Sequence, residues 1–226
     1  GGCVRWTFKA DAEIRAAAVV SPWQPGDEAA QPALYFGDTA GNAYRLDAAT
    51  GGLVWKVSAD DHAYATITGT PVLHDGRLYV PVASTEQVAA ADPDYECCTF
   101  RGNVVALDAA TGERLWTSWP ITGEPRLTGD TNAAGTPLWQ PAGAAIWGSP
   151  ALDPVRRRLY VATGAGYTSP AAGSTDAVIA LDLDSGNPLW RRFRGSNRPR
   201  HIVKCVSRLK RVNLRDLFWR QLNNWE

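Results

Sequence analysis

Residues 41–55 read GNAYRLDAATGGLVW. The same phrase returns as GNVVALDAATGERLW at 102–116 and as DAVIALDLDSGNPLW at 176–190. The Leu-Asp pairs begin at positions 46, 107 and 181 and the tryptophans stand at 55, 116 and 190, so both series advance by 61 and then 74 residues. A phrase that keeps its internal spacing while the intervals around it change marks one repeated structural unit. Its chemistry describes a β-hairpin. Asn42 to Leu46 alternates as a strand does. Asp47 to Gly52 is turn chemistry, in which Asp and Thr bond nearby backbone and Gly supplies positive φ. Leu53 to Val57 is a second strand carrying the tryptophan, a large aromatic placed to wedge against the next copy. Trp6, in GCVRWTFKA, reads as the end of an earlier copy.

Further strand pairs lie between these hairpins. TPVLHDGRLYVPVAS (70–84) turns at Asp75-Gly76, a strong hairpin dipeptide. SPALDPVRRRLYVATG (149–164) turns around Asp153-Pro154 and Arg156-Arg157. Two hairpins make a four-stranded sheet, and repeated four-stranded sheets with a tryptophan signature predict the blades of a β-propeller. A β-sandwich also uses many short strands; the fixed repeat favours the propeller.

The chain has 226 residues, zero net charge and no methionine. Residues 1–190 hold 12 Lys/Arg against 21 Asp/Glu, while 191–226 hold 11 against 2. That reversal gives the two parts different origins or partners. No apolar run is long enough to span a membrane, and no signal peptide is evident. Four cysteines are present, two of them adjacent in DYECCTFRG (94–102). Neighbouring thiols in an extended strand point to opposite faces and need no special reason. Were they bonded, a trans peptide would hold their Cα atoms about 3.8 Å apart, closer than the roughly 4.4–6.8 Å of ordinary disulfides.

The repeat G-N-x-x-x-L-D-x-x-T-G-x-x-x-W resembles the tryptophan-docking motif of the quinoprotein alcohol dehydrogenases. LYVPVASTEQVAAADPDYECCTFRGNVVALDAATGERLW and IWGSPALDPVRRRLYVATG resemble the type of that family that oxidises polyvinyl alcohol. The resemblance covers about residues 2 to 193. It implies an all-β, incomplete propeller, about three blades of an expected eight, over residues 1–193. It also implies pyrroloquinoline quinone (PQQ) and Ca²⁺ as cofactors, an alcohol substrate, a cytochrome as electron acceptor, and a periplasmic location. The haem signature C-x-x-C-H is absent, so haem c is not expected on this chain. No nucleic-acid partner is expected.

The resemblance carries roles to particular positions. Trp147, in IWGSPALDP, matches the indole that floors the quinone; the plainer alternative is a core tryptophan between blades. Cys97 and Cys98 match the adjacent cysteines whose ring sits against the quinone, with two reduced strand thiols as the alternative. Arg101 is placed to face a cofactor carboxylate, or is a surface strand residue. Calcium is a hard cation that takes oxygen ligands. Glu86, in VASTEQ, matches the expected ligand, with Glu96 its rival and an exposed loop carboxylate the bland reading. A second ligand is expected eighteen residues after the floor tryptophan, where this chain has Ala165, which has no side-chain oxygen. The family's general-base Asp falls in a following blade, so no catalytic residue is assigned here and the chain by itself is expected to be inactive. The competing expectation is a non-catalytic propeller that scaffolds protein assembly.

Residues 194–226 lack the repeat and are basic. They read as non-family sequence, by frameshift or gene disruption, or as a basic arm with a marginal amphipathic helix through Val206, Leu209, Val212 or Leu214, and Leu217.

Overall fold

The structure is a computed structural model that describes residues 2–24 and 31–193. The basic segment from residue 194 onward, and the helical spacing read in it, lies outside the described residues.

β1 (Val19–Val20), β2 (Ala33–Gly37), β3 (Asn42–Asp47) and β4 (Leu53–Ser58) form one antiparallel sheet in that order. β5 (Ala65–Thr66), β6 (Val72–His74) and β7 (Arg77–Ser84) follow. A single helical turn, α1 (Glu86–Ala89), then leads through a loop to β8 (Asn103–Asp108) and β9 (Arg114–Ser118). This second sheet runs β5-β7-β8-β9, with β6 also paired to β7. The hairpin β10 (Arg126–Thr131) and β11 (Pro137–Gln140) stands apart as a two-stranded ribbon. β12 (Ala151–Asp153), β13 (Arg158–Ala162), β14 (Ala177–Asp182) and β15 (Pro188–Phe193) make the third sheet, again in chain order. Three sheets of matching order, stacked face to face, are three propeller blades. Both expected short turns form. Asp75 and Gly76 take φ of 46° and 71°, as a two-residue primed turn requires, and Arg157 takes φ 51° in the turn before β13.

Period-two alternation sorts each strand between its two neighbours. In β7, Leu78, Val80 and Val82 join the core shared with the first blade, while Tyr79 joins the core shared with the third. In β8, Val105 and Leu107 face back and Val104 and Ala106 face forward. The first blade turns Phe36, Tyr44 and Leu46 the other way, against Trp6, Phe8 and Ala10 of the N-terminal segment. The two central strands of the middle blade, β7 and β8, are therefore covered on both faces, while Leu115 on the outer strand β9 stays exposed.

The repeat phrase supplies the joint between blades. In each copy the aspartate is folded over its own turn: Asp47 Oδ1 accepts from the amides of Ala49 and Thr50 and from the Thr50 hydroxyl. Asp108 does the same with Ala110 and Thr111, and Asp182 with Asp184 and Ser185. These donors hold all three carboxyls below the usual aspartate value. The turn ends on a glycine with positive φ, 74° at Gly51, 78° at Gly112 and 71° at Gly186. Each glycine lies under the tryptophan of the preceding copy. A Cβ would come within 2.5 Å of the Trp6 ring at Gly51, 3.0 Å of Trp55 at Gly112 and 2.5 Å of Trp116 at Gly186. The glycine thus answers two demands at once, a left-handed backbone and a flat seat for an indole.

Candidate active-site end

The loops between β7 and β8, and those between β11 and β12, carry the residues singled out from sequence. Glu86 opens α1 directly after β7, its amide donating to Ser84 Oγ at 2.9 Å. The side chain is fully buried. Oε1 accepts from the Thr99 amide at 2.7 Å and the Tyr95 hydroxyl at 3.0 Å, and Oε2 from the Phe100 amide at 2.9 Å. His62 stands beside it. Its Nδ1 accepts from the Tyr64 amide, which leaves Nε2 to carry the proton, 3.0 Å from Thr99 Oγ1 and 3.5 Å from Glu86 Oε1. Burial pushes the Glu86 carboxyl up, but His62 and the two amides outweigh it and hold the group below its ordinary value. Burial, with the same carboxylate beside it, drives the Tyr95 phenol upward.

Thr99 and Phe100 are the residues that follow the adjacent cysteines. Cys97 and Cys98 are bonded to each other and lie in the core between the first two blades, with Cys98 fully buried. The β10–β11 ribbon closes over them: the Trp139 amide donates to Cys97 O at 2.8 Å, and Trp139 Nε1 to Glu96 Oε2 at 3.1 Å. Asn132 and Thr136, at the ribbon's tip, both donate to Pro93 O. Nothing in the sequence reading marked this ribbon. A turn-forming Asn132 and Gly135 between RLT and PLWQ was the available signal.

The structure uses Arg101 locally. Its guanidinium donates to Ile121 O and Gly123 O and lies 5.4 Å from the Trp119 ring centre. Trp147 is partly open, 38% exposed, its carbonyl accepting from Thr68 Oγ1 at 3.1 Å. Small residues surround it: a Cβ on Gly148 would meet nothing within 4 Å, and one on Gly164 would sit 3.4 Å from the indole nitrogen. Ala165 contributes a backbone carbonyl to the Ala144 amide. Cys97, Cys98 and Glu86 are thus brought together, Arg101 follows them along the chain with its charge turned into the 119–124 loop, and Trp147 presents a separate open face.

These groups do not assemble a calcium site. Glu86 is enclosed and hydrogen-bonded through both oxygens, Glu96 is exposed and tied to Trp139, and Ala165 has no side-chain donor. Among the described residues no three His, Cys, Asp or Glu side chains converge. Of the residues the resemblance assigned to the quinone, Trp147 offers an open aromatic face, while the disulfide lies buried beneath the ribbon.

Comparison with known proteins places this architecture. A model of the PQQ family, "Glucose/ethanol/alcohol dehydrogenase, beta-propeller domain", matches residues 88–193. That of "Outer membrane protein assembly factor BamB" matches residues 1–95. Polyvinylalcohol dehydrogenase of Sphingopyxis sp. (strain 113P3) is 41% identical over 189 residues, which is 84% of this chain and 29% of that protein. The chain belongs to the quinoprotein alcohol dehydrogenase family. A polyvinylalcohol dehydrogenase from Pseudomonas sp. is 40% identical over the same shares of both chains. The crystal structure of the quinohemoprotein alcohol dehydrogenase from Comamonas testosteroni shares the fold, with a TM-score of 0.55 at 24% identity over 74% of this chain and 26% of that one. The chain spans 29% of the length of the polyvinylalcohol dehydrogenases it matches. As a member of the quinoprotein alcohol dehydrogenases it is a three-blade portion of their propeller. Among the described residues no helix is long and apolar enough to cross a membrane.

Proposed function

We propose that this chain is part of a PQQ-dependent dehydrogenase that oxidises secondary alcohols of the polyvinyl alcohol type, and that the chain alone does not turn over. The observation that carries the reading is the 41% identity to a polyvinylalcohol dehydrogenase across 84% of the chain. The bonded Cys97–Cys98 pair and the open Trp147 face support a quinone-facing role for this end of the blades. When bound, the quinone supplies the hydride acceptor, and the protein supplies placement and electrostatics. Calcium, the catalytic base and the cytochrome acceptor belong to the longer protein in this reading. The disulfide suits a periplasmic location.

The test is reconstitution of the purified chain with PQQ and Ca²⁺, followed by dye reduction with secondary alcohols and with polyvinyl alcohol. No turnover is expected; sustained turnover would contradict the proposal. The match of residues 1–95 to an assembly-factor model favours one second reading, a scaffold without cofactor. Titration of PQQ against the chain, followed by quinone absorbance, separates them, because a scaffold leaves the spectrum unchanged.

A further inference from the structure

We propose that Glu86 is a positioning residue for the Cys97–Cys98 ring and not a metal ligand. A carboxylate that a hard cation is to use keeps lone pairs turned toward an accessible space. Glu86 turns its oxygens to the amides of Thr99 and Phe100 and to the Tyr95 hydroxyl, with no exposed surface. Those two amides belong to the residues immediately after the disulfide, so the carboxylate fixes the backbone that leaves the ring. Charge-assisted bonds to backbone N–H groups are about twice as strong as neutral ones, and burial makes their loss costly.

The ribbon supplies a second hold from the opposite side, through the Trp139 amide on Cys97 O and the Trp139 indole on Glu96. Glu86 therefore grips the outgoing chain and Trp139 the incoming chain, and the disulfide is clamped between blade and ribbon. Once the Glu86 grip is removed, the ring is free to swing out and meet solvent thiols.

The test follows reduction of Cys97–Cys98 in the full chain by dithiothreitol. Each reductant gives up two electrons and two protons, closing its own disulfide as Cys97 and Cys98 become thiols. The products are trapped by alkylation and counted by mass. Glu86→Gln is expected to speed reduction by about tenfold or more, and Tyr95→Phe, which removes one hydrogen bond, by about threefold. The control is Asp38→Asn in the first blade. Asp38 is equally buried and accepts from the amides of Ala40 and Asn42 and from the Tyr44 hydroxyl. At matched global stability, set by urea, Asp38→Asn is expected to reduce at the wild-type rate. Equal acceleration in the Glu86 and Asp38 variants would overturn the proposal. So would CaCl2 that slows reduction in the wild type but not in Glu86→Gln, since that pattern marks a metal ligand. If Glu86→Gln does not fold, Tyr95→Phe carries the comparison, and a wild-type rate there would overturn the proposal. The readout uses neither quinone nor alcohol, so its failure is distinct from that of the functional reading.

Discussion

Trp55 and Trp190 hold the same place in the repeat and live in different surroundings. Trp55 lies against Gly112 of the next blade, donates through Nε1 to Ala109 O at 3.2 Å and is 9% exposed. Tyr35 packs beside it, 6.0 Å between ring centres, and donates to the same carbonyl. Trp190 keeps the tyrosine, Tyr160 at 5.8 Å, yet is 39% exposed, with Val178 and Leu189 open around it. Trp116 stands between them. It seats on Gly186 with Tyr79 alongside, but the Leu183 carbonyl takes the Tyr79 hydroxyl and the Trp116 nitrogen finds no acceptor. The indole and its tyrosine are thus a preformed knob. What turns the knob into stability is the glycine turn of the following blade, as expected for repeat architectures whose energy sits in neighbour interfaces.

The largest effect separates the two tryptophans. Trp55→Ala should cost about 3–5 kcal/mol, the range for an enclosed aromatic, whereas Trp190→Ala should cost no more than about 2 kcal/mol because much of its surface is already in water. Urea denaturation of the two variants measures both, and equal losses would break the comparison. The seats come next. Gly186→Ala combines a φ of 71° with a Cβ 2.5 Å from Trp116, whereas Gly76→Ala has the same φ and open space. The first should lose about 2–4 kcal/mol and the second about 1–2 kcal/mol. Similar losses at the two positions would mean that the seat, as distinct from the turn, carries little.

The smallest effect concerns acid. The folded Glu86 carboxyl lies below its ordinary value of 4.5. A depressed group stabilises the fold fully above its unfolded pKa and loses that contribution as pH falls through the folded one. The stability gap between wild type and Glu86→Gln should therefore be widest near pH 7 and narrow below about pH 4.5. Urea midpoints at several pH values measure it, and a constant gap would show that the carboxylate's charge is not what its partners bind.

The blade architecture was legible because its causes are local. The Asp-x-x-Thr-Gly turn, the Asp75-Gly76 hairpin and the tryptophan spacing each specify a conformation within a few residues, and all of them form as read. The site was less legible because its decisive partners are backbone groups. The sequence offers Glu86 as a carboxylate; nothing in it says that the amides of Thr99 and Phe100 will consume that carboxylate. Arg101 was open in the same way, since its acceptors are the carbonyls of Ile121 and Gly123, twenty or more residues on. The tyrosine partners at 35, 79 and 160 escaped notice because they lie outside the repeated phrase, each on the strand preceding it.

Hydrogen exchange resolved by strand tests the central claim directly. If the glycine seat of a following blade is what locks each tryptophan, amides of β3–β4 and β8–β9 should exchange far more slowly than those of β14–β15, with β3–β4, whose Trp55 has both seat and carbonyl, the slowest. Equal protection of all three strand pairs would contradict the account.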